Sequence, residues 1–117
     1  MTNHFCHIEI SATDLKSAQE FYGKLFSWKL DPSGTFPGYT MFETGKEPGG
    51  GLQQMERINP GEGVIIYVAV EDVDATLKRA KELGGTIVRE KTEIPKIGWF
   101  GLFKDLDGNL IGIFKGI

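Results

Sequence analysis

A single cysteine, Cys6, leaves no partner for an internal disulfide, so the chain is not a small secreted scaffold stapled by bridges. Basic residues are too few and too scattered to follow nucleic acid: 13 Lys and Arg stand against 16 Asp and Glu, the net charge is −3, and no more than two basic residues occur together. The longest apolar run, Val64 to Val70, falls far short of the roughly 20 residues of a membrane helix, and its β-branched content reads as a buried strand. Met1 to His7 lacks a basic segment followed by an apolar stretch, so no signal peptide is expected, and the expected compartment is the cytoplasm. Neither nucleic acid nor membrane is an expected partner.

What remains is an ordinary globular composition, with 40% hydrophobic and 25% charged residues. Its length of 117 residues allows one domain and is too short for two independent cores. Glycine is the exception. Sixteen glycines are close to twice the usual share of about 7%, which predicts many tight turns or bulges in a β-rich fold.

Sliding the sequence along itself by 58 positions places Ile8, Ile10, Ala12, Asp14 and Leu15 on Ile66, Val68, Val70, Asp72 and Val73. Continued without a gap, the same shift pairs Leu25 with Leu83, Phe42 with Phe100, Gly50 with Gly108 and Leu52 with Leu110. The chain therefore reads as two similar halves, about 1–58 and 59–117, within one domain over 1–117.

Each half carries the same signals in the same order. Phe5 to Ser11 alternates as a strand, with Cys6, Ile8 and Ile10 on one face and His7, Glu9 and Ser11 on the other; Cys6 is thereby assigned to the core. Thr13 or Asp14 supplies a helix cap, and Leu15, Ala18, Phe21, Tyr22, Leu25 and Phe26 form an amphipathic stripe. In the second half Val64 to Val70 is the strand, Asp72 the cap, and Val73, Leu77, Ala80 and Leu83 the stripe, stopped by Gly84 and Gly85. Three strands follow each helix: 28–30, 39–43 and 51–56, then 86–89, 99–103 and 110–114. Gly49-Gly50-Gly51 is read as a turn or bulge, because no lysine and no helix follow it as a phosphate loop requires. The predicted class is α+β: two tandem βαβββ modules whose curved sheets, each covered by a helix on one face only, surround a shared cleft.

At this point the chain resembles the vicinal oxygen chelate superfamily of glyoxalase I, bleomycin-resistance proteins and extradiol dioxygenases. The residues that carry the resemblance are His7-Ile8-Glu9-Ile10, Asp14-Leu15 with Ala18, Phe21-Tyr22 and Leu25-Phe26, and Gly98-Trp99-Phe100 followed by Asp105-Leu106-Asp107-Gly108-Asn109. The resemblance implies a cleft that takes a small molecule, a homodimer, and, in metal-dependent members, a divalent ion such as Zn, Ni, Mn or Fe. Four side chains hold that ion, one from the first and one from the last strand of each half. Here those positions fall on His7, Gln54, Ile65 and Gly112. Two of them offer no ligand atom and Gln54 offers a neutral amide, so the metal site reads as degenerate and no cofactor is expected.

His7 and Glu9 lie two apart on one strand and point to the same side, either as a functional pair that binds a polar ligand or exchanges a proton, or as an ordinary strand pair. Tyr67 and Trp99 border the cleft as aromatic walls, with Trp99 open between cleft wall, core and dimer interface. The candidate ligand-binding residues are thus His7, Glu9, Gln54, Tyr67 and Trp99, and no catalytic residue is assigned. The leading expectation is a glyoxalase-like protein that binds a small organic molecule without the metal. The rivals are a metal-dependent lyase or isomerase of the lactoylglutathione lyase type, with Glu43 or Glu56 as replacement ligands, and a drug-sequestering resistance protein.

Overall fold

Strand β1 (His7–Ala12) alternates as its sequence requires: Ile10 and Ala12 are buried, while His7 and Glu9 are exposed. In the computed structural model, which describes residues 4–34, 37–61 and 63–117, this strand opens a unit spanning Met1–Ile58, and a second unit spans Asn59–Ile117. Cys6 does not continue the alternation. It precedes β1 and is exposed, which corrects its assignment to the core, because pleated parity ends where the strand does.

Helix α1 (Leu15–Phe26) begins at Asp14, whose carboxylate accepts the Ser17 N–H at 3.3 Å, so the cap is Asp14 rather than Thr13. It buries Ala18, Phe21 and Tyr22 against the sheet and ends at Ser27, which takes the left-handed conformation at φ 59°. The strands β2 (Lys29–Asp31), β3 (Tyr39–Glu43) and β4 (Gly49–Gln54) complete a sheet of order β1-β4-β3-β2, parallel between β1 and β4 and otherwise antiparallel. Trp28 stacks between Tyr22 and Phe42, with centroids 5.2 and 4.6 Å away. Thr40 is the buried polar residue of this layer, and its hydroxyl donates to Gln19 Oε1 at 2.6 Å.

The glycine triplet is neither turn nor bulge. Gly49, Gly50 and Gly51 form the first half of β4, which starts two residues before its expected position. The reason is crowding at a central strand. A Cβ on Gly50 would run into the Ile8 carbonyl and the Phe42 ring, and one on Gly51 into the Tyr39 ring.

In the second unit β5 (Ile66–Ala69) is shorter than the expected Val64 to Val70, and Val64 is exposed. Helix α2 (Val73–Glu82) is capped by Asp72, which accepts the Ala75 N–H at 3.0 Å, and Gly84 at φ 104° follows its end. Strands β6 (Thr86–Ile94), β7 (Gly98–Lys104) and β8 (Leu110–Gly116) give the order β5-β8-β7-β6, again with the first pair parallel. The Asp105 carboxylate closes the β7–β8 turn by accepting from the Asp107 and Asn109 backbone N–H groups and from Asn109 Nδ2. Along the edge, β6 carries two register shifts, between Ile87 and Arg89 and between Arg89 and Thr92. Among the described residues no helix is long and apolar enough to cross a membrane.

The architecture is a duplicated βαβββ module of the α+β class. The 58-residue shift holds for β1 and β5 and for both helix caps, yet β3 and β4 correspond to β7 and β8 at a shift of 61. Ile8 pairs with Gly50 while Ile66 pairs with Ile111, and Phe42 pairs with Gly50 while Phe103 pairs with Ile111. The counterpart of Phe42 is therefore Phe103, not Phe100, and that of Leu52 is Ile113, not Leu110. Burial agrees: Phe42 is 3% exposed, and Phe103, Leu52 and Ile113 are 0% exposed. Truncating these positions leaves cavities, so Leu52→Ala is expected to cost about 2–5 kcal/mol and Phe103→Ala about 3–5 kcal/mol. Met41→Ala, on an exposed side chain, is expected to cost less than about 1 kcal/mol. Urea denaturation of the three variants checks the ranking.

Candidate functional site

Residues paired across a sheet point to the same side, so register decides which candidates share a face. His7 lies beside Gly49, Glu9 beside Gly51 and Ser11 beside Gln53, and Tyr39 lies opposite Gln53. His7, Glu9, Tyr39, Met41 and Gln53 thus occupy the face of the first sheet that α1 does not cover. They line a hollow of about 490 Å³ together with Pro37, Gly38 and Gln54. Gln54 itself pairs with Ala12, whose side chain is buried on the helix side. Gln53 therefore holds the last-strand position assigned to Gln54, and Gln54 lines the hollow from the last residue of β4.

Tyr39 organises the polar end of the hollow. Its hydroxyl lies 2.6 Å from His7 Nε2 and is hydrogen-bonded to Glu9. The ring packs nearly parallel to the imidazole, with centroids 6.2 Å apart and planes 16° from parallel. Burial raises the Tyr39 pKa above the ordinary phenol value, and the Glu9 hydrogen bond and negative charge raise it further. The phenol is protonated at neutral pH. Its one proton goes to the Glu9 carboxylate, so its oxygen is left to accept from His7 Nε2. Tyr39 is absent from the candidates drawn from the sequence. The signal for it is the side-chain-free Gly51, over which its ring lies.

In the second unit the face free of α2 carries a cluster of aromatic rings. Tyr67 pairs with Gly112, and Phe114 with Phe100, so these four share it, and Tyr67, Ile94, Phe100 and Phe114 line a hollow of about 240 Å³. Trp99 pairs with Lys115 and points to the opposite side, flanked by the Lys91 and Lys115 ammonium groups at 5.4 and 5.9 Å from its ring. The aromatic partner of Tyr67 is therefore Phe100, and Trp99 does not share the face of Tyr67. Gly112 is no open ligand position either, because a Cβ there would meet the Tyr67 ring.

With the corrected register, the family's four metal positions fall on His7, Gln53, Ile65 and Phe114 in place of His7, Gln54, Ile65 and Gly112. They supply one imidazole, one neutral amide and two hydrocarbon side chains, a donor set that does not fit a tightly held divalent ion. Among the described residues no three His, Cys, Asp or Glu side chains are grouped to hold a metal. Glu43 lines a second hollow of about 670 Å³ with Cys6, His7 and Lys29, and Glu56 lies beyond the end of β4.

The glyoxalase-like domain model matches residues 7–114, and the chain belongs to that family, within the vicinal oxygen chelate superfamily. A glyoxylase-like domain-containing protein of Didymella fabae is 33% identical, with 87% of this chain and 85% of that protein covered. Among solved structures, a glyoxalase/bleomycin resistance protein/dioxygenase family enzyme from Burkholderia phytofirmans PsJN superposes with a TM-score of 0.82 at 18% identity, over 95% of this chain and 97% of that one. The fosfomycin resistance protein FosX from Listeria monocytogenes gives 0.82 at 19% identity, over 100% of this chain and 96% of its own. At such identities the two structures speak for the fold.

The Tyr39 array has a spectroscopic consequence. Glu9→Gln removes the charge that disfavours the phenolate, so the Tyr39 titration is expected to move down toward the ordinary value, read as tyrosinate absorbance against a Tyr39→Phe control. An unchanged titration would contradict the Glu9 contact. The folded state holds this proton more tightly than the unfolded chain, so the group lowers stability as pH rises past about 10.

Proposed function

We propose that the protein binds a small organic molecule on the uncovered face of its first sheet and does so without the family's divalent ion. The observation that carries the reading is the His7–Tyr39–Glu9 array at one end of a hollow of about 490 Å³. A few convergent polar groups beside apolar walls are the usual make-up of a small-molecule site. Met41, Pro37 and the Tyr39 ring supply the apolar contact, and Glu9, His7 and the Gln53 and Gln54 amides supply orientation. The donor set at the metal positions supports a ligand held by hydrogen bonds and packing in place of coordination.

A fragment library screened by amide chemical shifts tests the site. Binders are expected to perturb His7, Glu9, Tyr39 and Gln53 together, and perturbations clustered elsewhere would overturn the assignment. For a binder so found, His7→Ala is expected to weaken affinity about tenfold, the cost of leaving a polar partner unmade. Its thermal midpoint should barely move, because His7 is an exposed side chain. A large loss of stability with unchanged affinity would make His7 structural. Titration with zinc and nickel under the same conditions is expected to give no stoichiometric binding; a stoichiometric site would favour the metal-dependent lyase or isomerase.

The proposal includes a homodimer. Each unit leaves one sheet face uncovered by its own helix, and Ile97 and Ile117, joined by a 3.1 Å backbone hydrogen bond, are 56% and 82% exposed. Light scattering at micromolar concentration is expected to give about twice 13.0 kDa.

A further inference from the structure

We propose that the ligand of the first sheet carries an α-amino-acid head, its carboxylate held by Lys29 and its ammonium by Glu43. The inference rests on the reading of the His7–Tyr39–Glu9 hollow as a small-molecule site and names the class of molecule that suits it, an amino acid with a long side chain ending in a ring. The hollows of about 490 and 670 Å³ share His7 and Met41, so they form one trough in the first unit. Tyr39, Met41 and Glu43 alternate along β3 on this face, which puts Tyr39 about 14 Å from Glu43 at roughly 3.4 Å per residue. That is the span of an extended lysine side chain with a benzoyl group on its end. Gly49, which has no side chain, leaves the larger hollow open beside Glu43.

The choice of a zwitterion rests on charges that stand unpaired at the Glu43 end. Lys29 lies directly opposite Glu43 across β2 and β3, so both side chains point to the same face and both line the larger hollow. Among the described residues neither forms an ion pair. Asp31, the next carboxylate on β2, is already occupied, because it accepts the Ser33 backbone N–H at 2.9 Å and the Ser33 hydroxyl at 2.5 Å. Lys46 and Glu47 add one charge of each sign where the β3–β4 hairpin borders the hollow. A simple cation or anion placed there would meet a like charge beside its partner, whereas an ammonium and a carboxylate on one carbon match both. From that head the side chain runs over the Met41 thioether, and its ring packs at the Tyr39 end of the trough.

Nε-benzoyl-lysine is the probe, titrated into the whole chain and followed by amide chemical shifts. Its methyl ester removes the carboxylate charge, and its Nα-acetyl derivative removes the ammonium. Nε-benzoyl-lysine is expected to perturb His7, Tyr39, Met41 and Glu43 together and to bind about tenfold more tightly than either derivative. Lys29→Met should abolish the preference over the ester, and Glu43→Gln the preference over the acetyl derivative. Both replace exposed side chains, so both variants are expected to keep the wild-type thermal midpoint. Equal affinity for the three probes, or preferences that survive Lys29→Met and Glu43→Gln, would overturn the amino-acid head. Fragments that shift His7 and Tyr39 while none of the three probes does would overturn this inference alone. Shifts at those residues from neither fragments nor probes would overturn the small-molecule reading with it.

Discussion

Gly51 carries no side chain, and the ring of Tyr39 fills the space one would occupy. Much of the first unit follows from that vacancy. Because β4 lies between β1 and β3, a ring lying over it from β3 reaches β1, and the hydroxyl meets both His7 and Glu9. On the other side of the same strand, Gly50 lets the Phe42 ring approach and stack on Trp28. The second unit repeats the device with Gly112 beneath Tyr67, but here the ring comes from the parallel neighbour β5. Glycine at the centre of a sheet weakens it locally, and in both units an aromatic ring restores the lost contact.

The two uncovered faces have opposite chemistry. The first holds His7, Tyr39 and Glu9; the second holds Tyr67, Phe100 and Phe114, with the cations Arg89 and Lys104. Duplication of a module preserved backbone pairing and core positions such as Phe42 and Phe103, where burial constrains size. It left the residues between them free to diverge, because an exposed face constrains only what binds there.

The parts of the fold governed by local chemistry were legible in the sequence. Asp14 and Asp72 announce the helices by capping them, the apolar stripes give their faces, and β3 lies at 39–43, with Thr40 and Phe42 buried between Tyr39, Met41 and Glu43. Register across β4 and β8 was not legible, since it depends on which residues pair through space. Phe100 and Phe103 are equally good phenylalanines in a one-dimensional match, and strand pairing together with burial separates them. The same gap displaced Gln54 by one residue and left the face of Trp99 open, as a one-residue step reverses every side chain of a strand. Tyr39 was overlooked because its role arises from contacts with β1, 32 residues away along the chain from His7.

The charged and twice-shifted edge strand β6 bears on how this chain behaves in a crowded solution. An unbroken nine-residue edge would offer a regular row of free N–H and C=O groups to any passing extended segment. In β6 the row is interrupted at Arg89 and Thr92, and Arg89, Glu90, Lys91 and Glu93 surround it with alternating charge. A second strand laid along it would lose hydrogen bonds at each interruption and bury ions without partners. An edge so interrupted and charged is a poor template for the stacked β assemblies to which open sheets are prone.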